Sequence, residues 1–149
     1  MDQRIELLLK VLQGTATYEE QLKLVKKDRI AIQFIHNPSK EMQLAAVQEE
    51  GLMIKYIPNP DKDVQLAAVK ENGFAIEFIK DPDKDVQMAA VQDIWLAIKY
   101  IPNPDKDVQF AAVQQNPAAI QHIENPDDEV KEAAIKRLKE IDSKAEKIS

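Results

Sequence analysis

Proline recurs at positions 38, 60, 82, 104 and 126, so the chain repeats every 22 residues. A unit that short cannot bury its own apolar face and becomes stable only when copies stack. Rows of 22 from Asp28 give five units: 28–49, 50–71, 72–93, 94–115 and 116–137. Those at 50–71 and 94–115 agree at 16 of 22 positions, well beyond coincidence. The register continues backwards more weakly, since Glu20-Gln21-Leu22-Lys23-Leu24-Val25 stands one period before Met42-Gln43-Leu44-Ala45-Ala46-Val47. Residues 1–27 read as a degenerate capping unit and 138–149 as the charged end of the last helix, all within one domain.

Each unit reads as two short helices. In the second, Asn59 is the expected N-cap, Pro60 the first helical residue, and Asp61 and Asp63 complement the helix dipole. That helix runs to about Glu71, where Asn72-Gly73 is expected to supply a left-handed stop. The first helix, about Phe74 to Ile79, ends at Lys80-Asp81-Pro82 because the residue before proline leaves the α region. Two turns of helix do not persist alone in water, so each unit must be covered by its neighbours.

Columns one period apart support that stacking. Isoleucine fills 32, 54, 76, 98 and 120, and again 35, 57, 79, 101 and 123. Beside them run Phe34, Tyr56, Phe78, Tyr100 and His122, read as core with the tyrosine hydroxyls at the rim; anchoring of a partner is the alternative. Val64, Ala67 and Ala68 share one face of the second helix, and Leu66 and Val69 nearly the opposite one. Paired alanines then allow close approach, and Ala67→Leu or Ile76→Ala is expected to cost about 2–4 kcal/mol. The last unit carries Lys131 and Glu132 where inner units carry Gln65 and Leu66, as a polar end cap does. The fold class is all-α: a right-handed α-solenoid of about six short helix pairs.

The core Ala68-Val69-Lys70-Glu71-Asn72-Gly73 resembles the short helical repeat, of unknown function, of many bacterial and viral proteins. The Asn-Pro-Asp-x-x-Val-Gln-x-Ala-Ala segment is similar to the second helix of HEAT repeats. The resemblance covers roughly 28–137 and implies an α-solenoid with no chemistry to carry over. Its Asn-Gly pair is replaced by Glu50-Gly51, Ile94-Trp95 and Asn116-Pro117, and Trp95 is expected to disturb the turn or change the curvature.

The absence of cysteine removes disulfides, thiolate metal sites and thiol nucleophiles, and suits a reducing, cytoplasmic setting. A net charge of −6 lacks the footprint of phosphate binding, and no apolar run is long enough for a membrane span. Lysine outnumbers arginine 17 to 3, a bias that points towards a bacterium or its phage. His36 and His122 lie far apart in register and are read as packed or solvated, not as metal ligands. The carboxylate pairs Asp61/Asp63, Asp83/Asp85 and Asp105/Asp107 read as caps on a solvated edge. No glycine-rich phosphate loop or Ser–His–acid set occurs, so neither enzyme activity nor a cofactor is expected.

The remaining candidates concern binding. Gln43, Gln65, Gln87 and Gln109 either bond turn carbonyls and fix the register, or offer a ladder to a peptide. The column Gln33, Lys55, Glu77, Lys99 and Gln121 is expected to form ion pairs between units. Ile94 and Trp95 form a docking hot spot if exposed and a plug if buried. The leading expectation is a protein-binding module, an adaptor or an inhibitor. One form would be a phage or mobile-element antagonist occluding a basic nucleic-acid channel with its aspartate rim, through Asp61, Asp63, Asp83, Asp85, Asp105 and Asp107. Trp95, Ile94, Tyr56, Tyr100, Gln65, Gln87 and Gln109 complete the candidate surface. A structural, self-associating repeat protein is the second expectation; the chain is expected as a monomer or as a weak homodimer through Trp95 or Ile5-Glu6-Leu7-Leu8-Leu9. Direct nucleic-acid binding is disfavoured by charge.

Overall fold

The computed structural model describes residues 2–148, all helix and turn among those residues. Five ten-residue helices begin one period apart: α2 (Tyr18–Lys27), α3 (Lys40–Glu49), α4 (Lys62–Glu71), α5 (Lys84–Asp93) and α6 (Lys106–Gln115). Each is followed by a six-residue 3-10 segment: η1 (Arg29–Phe34), η2 (Gly51–Tyr56), η3 (Gly73–Phe78), η4 (Trp95–Tyr100) and η5 (Pro117–His122). The ends differ, with an ordinary helix α1 (Gln3–Leu12) first and the long helix α7 (Asp128–Ile148) last. Each α-helix packs on the next and each η on the next, giving a two-layered helical-repeat solenoid. No helix among the described residues is long and apolar enough to cross a membrane.

The turns are built differently from the sequence expectation, in two places. Asn59 is not the N-cap: with Asn37, Asp81 and Asn103 it takes a positive φ of about 50°. Asn and Asp tolerate that region best, so they make the reversal from η into helix. The cap moves to Asp61, whose carboxylate accepts the Val64 N–H at 3.1 Å; Asp83 caps Val86 in the same way at 3.2 Å.

Asn72-Gly73 is not a left-handed stop, because Asn72 is extended (φ −151°) and its side chain accepts the Phe74 N–H at 3.0 Å. Gly73 is required for room, since a methyl there would collide with the Ala90 carbonyl of the next helix, and one at Gly51 with that of Ala68. At Ile94-Trp95 the residue before the 3-10 segment stays extended (φ −146° against −151°) and η4 begins at Trp95 as η3 begins at Gly73, so the tryptophan does not break the repeat. The helix end opposite changes instead. Glu71 and Asp93 accept the N–H of Gly51 and Gly73, whereas Gln115, facing Trp95 in register, donates to the Val91 carbonyl at 2.6 Å.

The main core is a continuous cluster of Ile, Val and Ala, with Met42 and Met53, from successive units, and a smaller one of Leu7, Leu24 and Ala31 lies at the first helices. Only the second alanine of each pair is fully buried (Ala46, Ala68, Ala90 and Ala112); the first is half-buried. Most of the aromatic column is not core: Phe34, Tyr56 and Phe78 are 46%, 36% and 44% exposed and His122 is exposed, while Tyr100 is half-buried against the core. A 3-10 turn stacks residues three apart, so Ile54 and Ile57 take the inward positions and residue 56 is left on the outer edge.

Urea denaturation of single variants should separate these roles. Ala68→Leu and Ile76→Ala should each lose about 2–4 kcal/mol, and Ala67→Leu less than about 1 kcal/mol. Asn59→Gly should be nearly neutral while Asn59→Val costs about 1–2 kcal/mol, because a β-branched side chain resists positive φ.

Candidate functional site: the turn edge

The repeated turns bring the starts of α3–α7 and the ends of η1–η5 to one edge of the stack. On the helix side runs a ladder of ion pairs. Lys40 joins Asp61 (3.3 Å) and Asp63 of the next unit, and Lys62 joins Asp83 (3.0 Å) and Asp85 (2.6 Å). Lys84 joins Asp107, and Lys106 joins Asp127 (3.7 Å) and Glu129 (2.7 Å). Tyr18 stands one period before Lys40 and takes the place of a lysine: its hydroxyl donates to Glu41 at 2.9 Å. The aspartate rim is therefore not a like-signed surface, because Asp61/Asp63, Asp83/Asp85 and Asp127/Glu129 are each clamped by an ammonium from the unit before, and Asp107 of the Asp105/Asp107 pair is held in the same way. Asp105 departs from the pattern, as its side chain makes no cap bond to the helix it precedes.

The pairing shows in the acidities. Asp61 lies below the usual 3.8, chiefly through the Val64 amide; Asp83 and Asp107 do so chiefly through Lys62 and Lys84. Lys40, Lys62, Lys84 and Lys106 are raised above 10.5, chiefly by Asp63, Asp85, Asp107 and Glu129.

Behind the ladder the glutamines act as pegs. Gln43, Gln65, Gln87 and Gln109 each donate to the carbonyl five residues back, at Pro38, Pro60, Pro82 and Pro104, over 2.8–2.9 Å. Gln87 and Gln109 are buried, and each also accepts a backbone N–H from the next unit, at Asp105 and Asp127. With both ends of the amide used, these two tie one unit to the next.

On the η side the edge is open. Tyr100 and His122 share a cavity of about 330 Å³, floored by Ile101 and Ile123 and walled by Pro102-Asn103-Pro104. Two units earlier, Phe78 lines an equivalent cavity of about 510 Å³ with Pro58-Asn59-Pro60 and Gln65. Phe74 meets Tyr100 edge-on at 6.0 Å between ring centroids, and Trp95 lies 6.2 Å from His122. Ile94 and Trp95 are half-buried against the core, with the tryptophan ring extending the aromatic row.

The ion pairs expected along Gln33, Lys55, Glu77, Lys99 and Gln121 do not form among the described residues. Lys55 and Lys99 lie over the rings of Tyr56 and Tyr100, at 4.9 and 4.5 Å from the centroids. The inter-unit pairs sit on the other column because there the lysine starts a helix beside the next unit's carboxylates. His36 and His122 are both exposed, and no group of three His, Cys, Asp or Glu able to hold a metal occurs among the described residues.

The sequence aligned Phe34, Tyr56, Phe78, Tyr100 and His122 in one column, but the reading of that column as core missed that all but the half-buried Tyr100 are exposed. A signal was present: the residue before each ring is polar or charged in every unit, as at an element's outer edge. No family model, curated protein or solved structure matches this chain.

The ladder sets the pH response. Carboxyls lowered on folding stabilise above pH 3.8 and lose that contribution as pH falls through their lowered values. Ammoniums raised on folding stabilise below pH 10.5 and lose theirs as pH rises through the raised values. Melting temperature, scanned from about pH 2 to 12, should show a plateau that falls at both ends. Replacing Lys40, Lys62, Lys84 and Lys106 with methionine should flatten the alkaline fall.

Proposed function

We propose that this protein is a non-catalytic protein-binding module that docks a partner along the exposed aromatic stripe of the turn edge. One observation carries the reading: at one position in five consecutive units Phe34, Tyr56, Phe78 and His122 are exposed and Tyr100 is half-buried. Folding gains little from rings left in water, whereas a partner that covered them would gain their apolar area. The solenoid is a rigid support for such a row, since the ladder and the glutamine pegs hold one unit to the next. An adaptor or an inhibitor role both follow from such a surface. The antagonist of a nucleic-acid enzyme is the narrower form. Its acidic rim contributes less than charge counting implies, because lysines occupy it.

A second reading has its own observation. Ile5, Leu9 and Leu12 form an exposed stripe on α1, and Ile135, Leu138 and Ile141 another on α7. Self-association through these faces would appear as a scattering mass that rises with concentration.

Capture from nuclease-treated lysate, read by mass spectrometry, tests the first reading. Wild type and the Asp105→Lys/Asp107→Lys variant should retain one dominant protein, and Tyr56→Ala/Tyr100→Ala should lose it while keeping its helical circular dichroism. Loss in the aspartate variant alone would move the site to the ladder.

A further inference from the structure

The stripe carries more than rings. Lys55, Glu77 and Lys99 occupy the same position in three consecutive units, immediately before Tyr56, Phe78 and Tyr100. All three are exposed, and none forms an ion pair or hydrogen bond among the described residues. The ladder lysines on the other side of the edge are each bonded to carboxylates. The unpaired sequence is therefore positive, negative, positive, bounded at each end by the uncharged amides of Gln33 and Gln121.

We propose that the stripe binds an extended, polyproline-type segment of a partner protein that carries acidic, basic and acidic residues at three-residue intervals. The inference rests on the protein-binding reading above and names the partner's chemistry. Packed helical elements lie about 8–10 Å apart, which sets the spacing from one ring or charge to the next. A polyproline helix advances about 3.1 Å per residue with three residues per turn, or about 9.3 Å per turn. Each turn of such a segment meets one unit of the solenoid. Every third residue faces the surface, so charges at i, i+3 and i+6 stand opposite Lys55, Glu77 and Lys99.

A β-strand has nearly the same advance over three residues, but its side chains alternate, so i and i+3 point to opposite faces. An α-helix rises only about 4.5 Å in three residues and falls out of step at once. Tyr56 and Phe78 are exposed and Tyr100 half-buried, with Lys55 and Lys99 each over one ring; the ring surface left open suits the flat, preformed surface of proline, as in other aromatic-lined grooves that take such segments. A single-stranded nucleic acid would also stack on a row of rings. Glu77 at the centre of the stripe and the net charge of −6 oppose its phosphates.

The test uses the full chain and labelled nine-residue peptides, read by fluorescence anisotropy at about 0.15 M salt. The matched peptide is Glu-Pro-Pro-Lys-Pro-Pro-Glu-Pro-Pro; the inverted one exchanges Glu and Lys. The matched peptide should bind at least about tenfold more tightly than the inverted one. Lys55→Glu/Glu77→Lys/Lys99→Glu, all at exposed positions, should reverse that preference while retaining the circular dichroism of the wild type. Equal binding of both peptides, binding of neither, or tighter binding of oligothymidylate would each overturn the proposal. If neither peptide binds but Tyr56→Ala/Tyr100→Ala still abolishes capture of a protein, this inference fails and the protein-binding reading survives.

Discussion

The contact on which everything else depends is the close approach of successive ten-residue helices, made possible by a single methyl at Ala46, Ala68, Ala90 and Ala112. Neither a ten-residue helix nor a six-residue 3-10 segment is stable in isolation. With alanine at the crossing, the backbones come close enough for Val64, Val69 and the stacked isoleucines to close a dry seam between units. The glycines at 51 and 73 extend the same logic to the other layer, where the η backbone presses against a helix carbonyl. Remove that proximity and the repeat has no core, because no unit has an interior of its own.

A stack held in this way has little freedom along its length and much at its edges. Side chains in the seam answer to the next unit, and nearly all of them are Ile, Val or Ala. Turn residues answer first to the backbone, through a positive φ at Asn59, a cap at Asp61 and a peg at Gln65. Their neighbours are then free to serve a partner. The ring positions belong to this last group, since the 3-10 winding spends its inward positions on Ile54 and Ile57 and leaves residue 56 outside.

The architecture was legible because it is periodic. Prolines 22 residues apart and aligned isoleucines report a stacked helical repeat without reference to any single contact. What was not legible depended on local winding. Reading 74–79 as ordinary helix placed the aromatic column in the core, and the tighter 3-10 turn moved it to the surface. Asn59 looked like a cap because Asn is a good one. The deciding fact was that the chain must reverse there, a demand that belongs to tertiary packing. The aspartate pairs gave a similar lesson: Asp61 and Asp63 flank Lys62, but the lysine that neutralises them is Lys40, 21 and 23 residues earlier. A linear count of charge cannot show that a rim is already paired across units.

The two charge systems of the edge differ in the same respect. Lys40, Lys62, Lys84 and Lys106 reach from one helix start to the next, and their partners come from the fold itself. Lys55, Glu77 and Lys99 form no such pair among the described residues, although neighbours in the column carry opposite signs, and Lys55 and Lys99 lie instead over the rings of Tyr56 and Tyr100. Opposite charges that repeat at the pitch of the stack but do not pair contribute little to folding. Once a partner with complementary spacing excludes water from them, the same charges select its register and direction. Stability and recognition are in this way assigned to different columns of one edge, each set by which side of the turn its residue occupies.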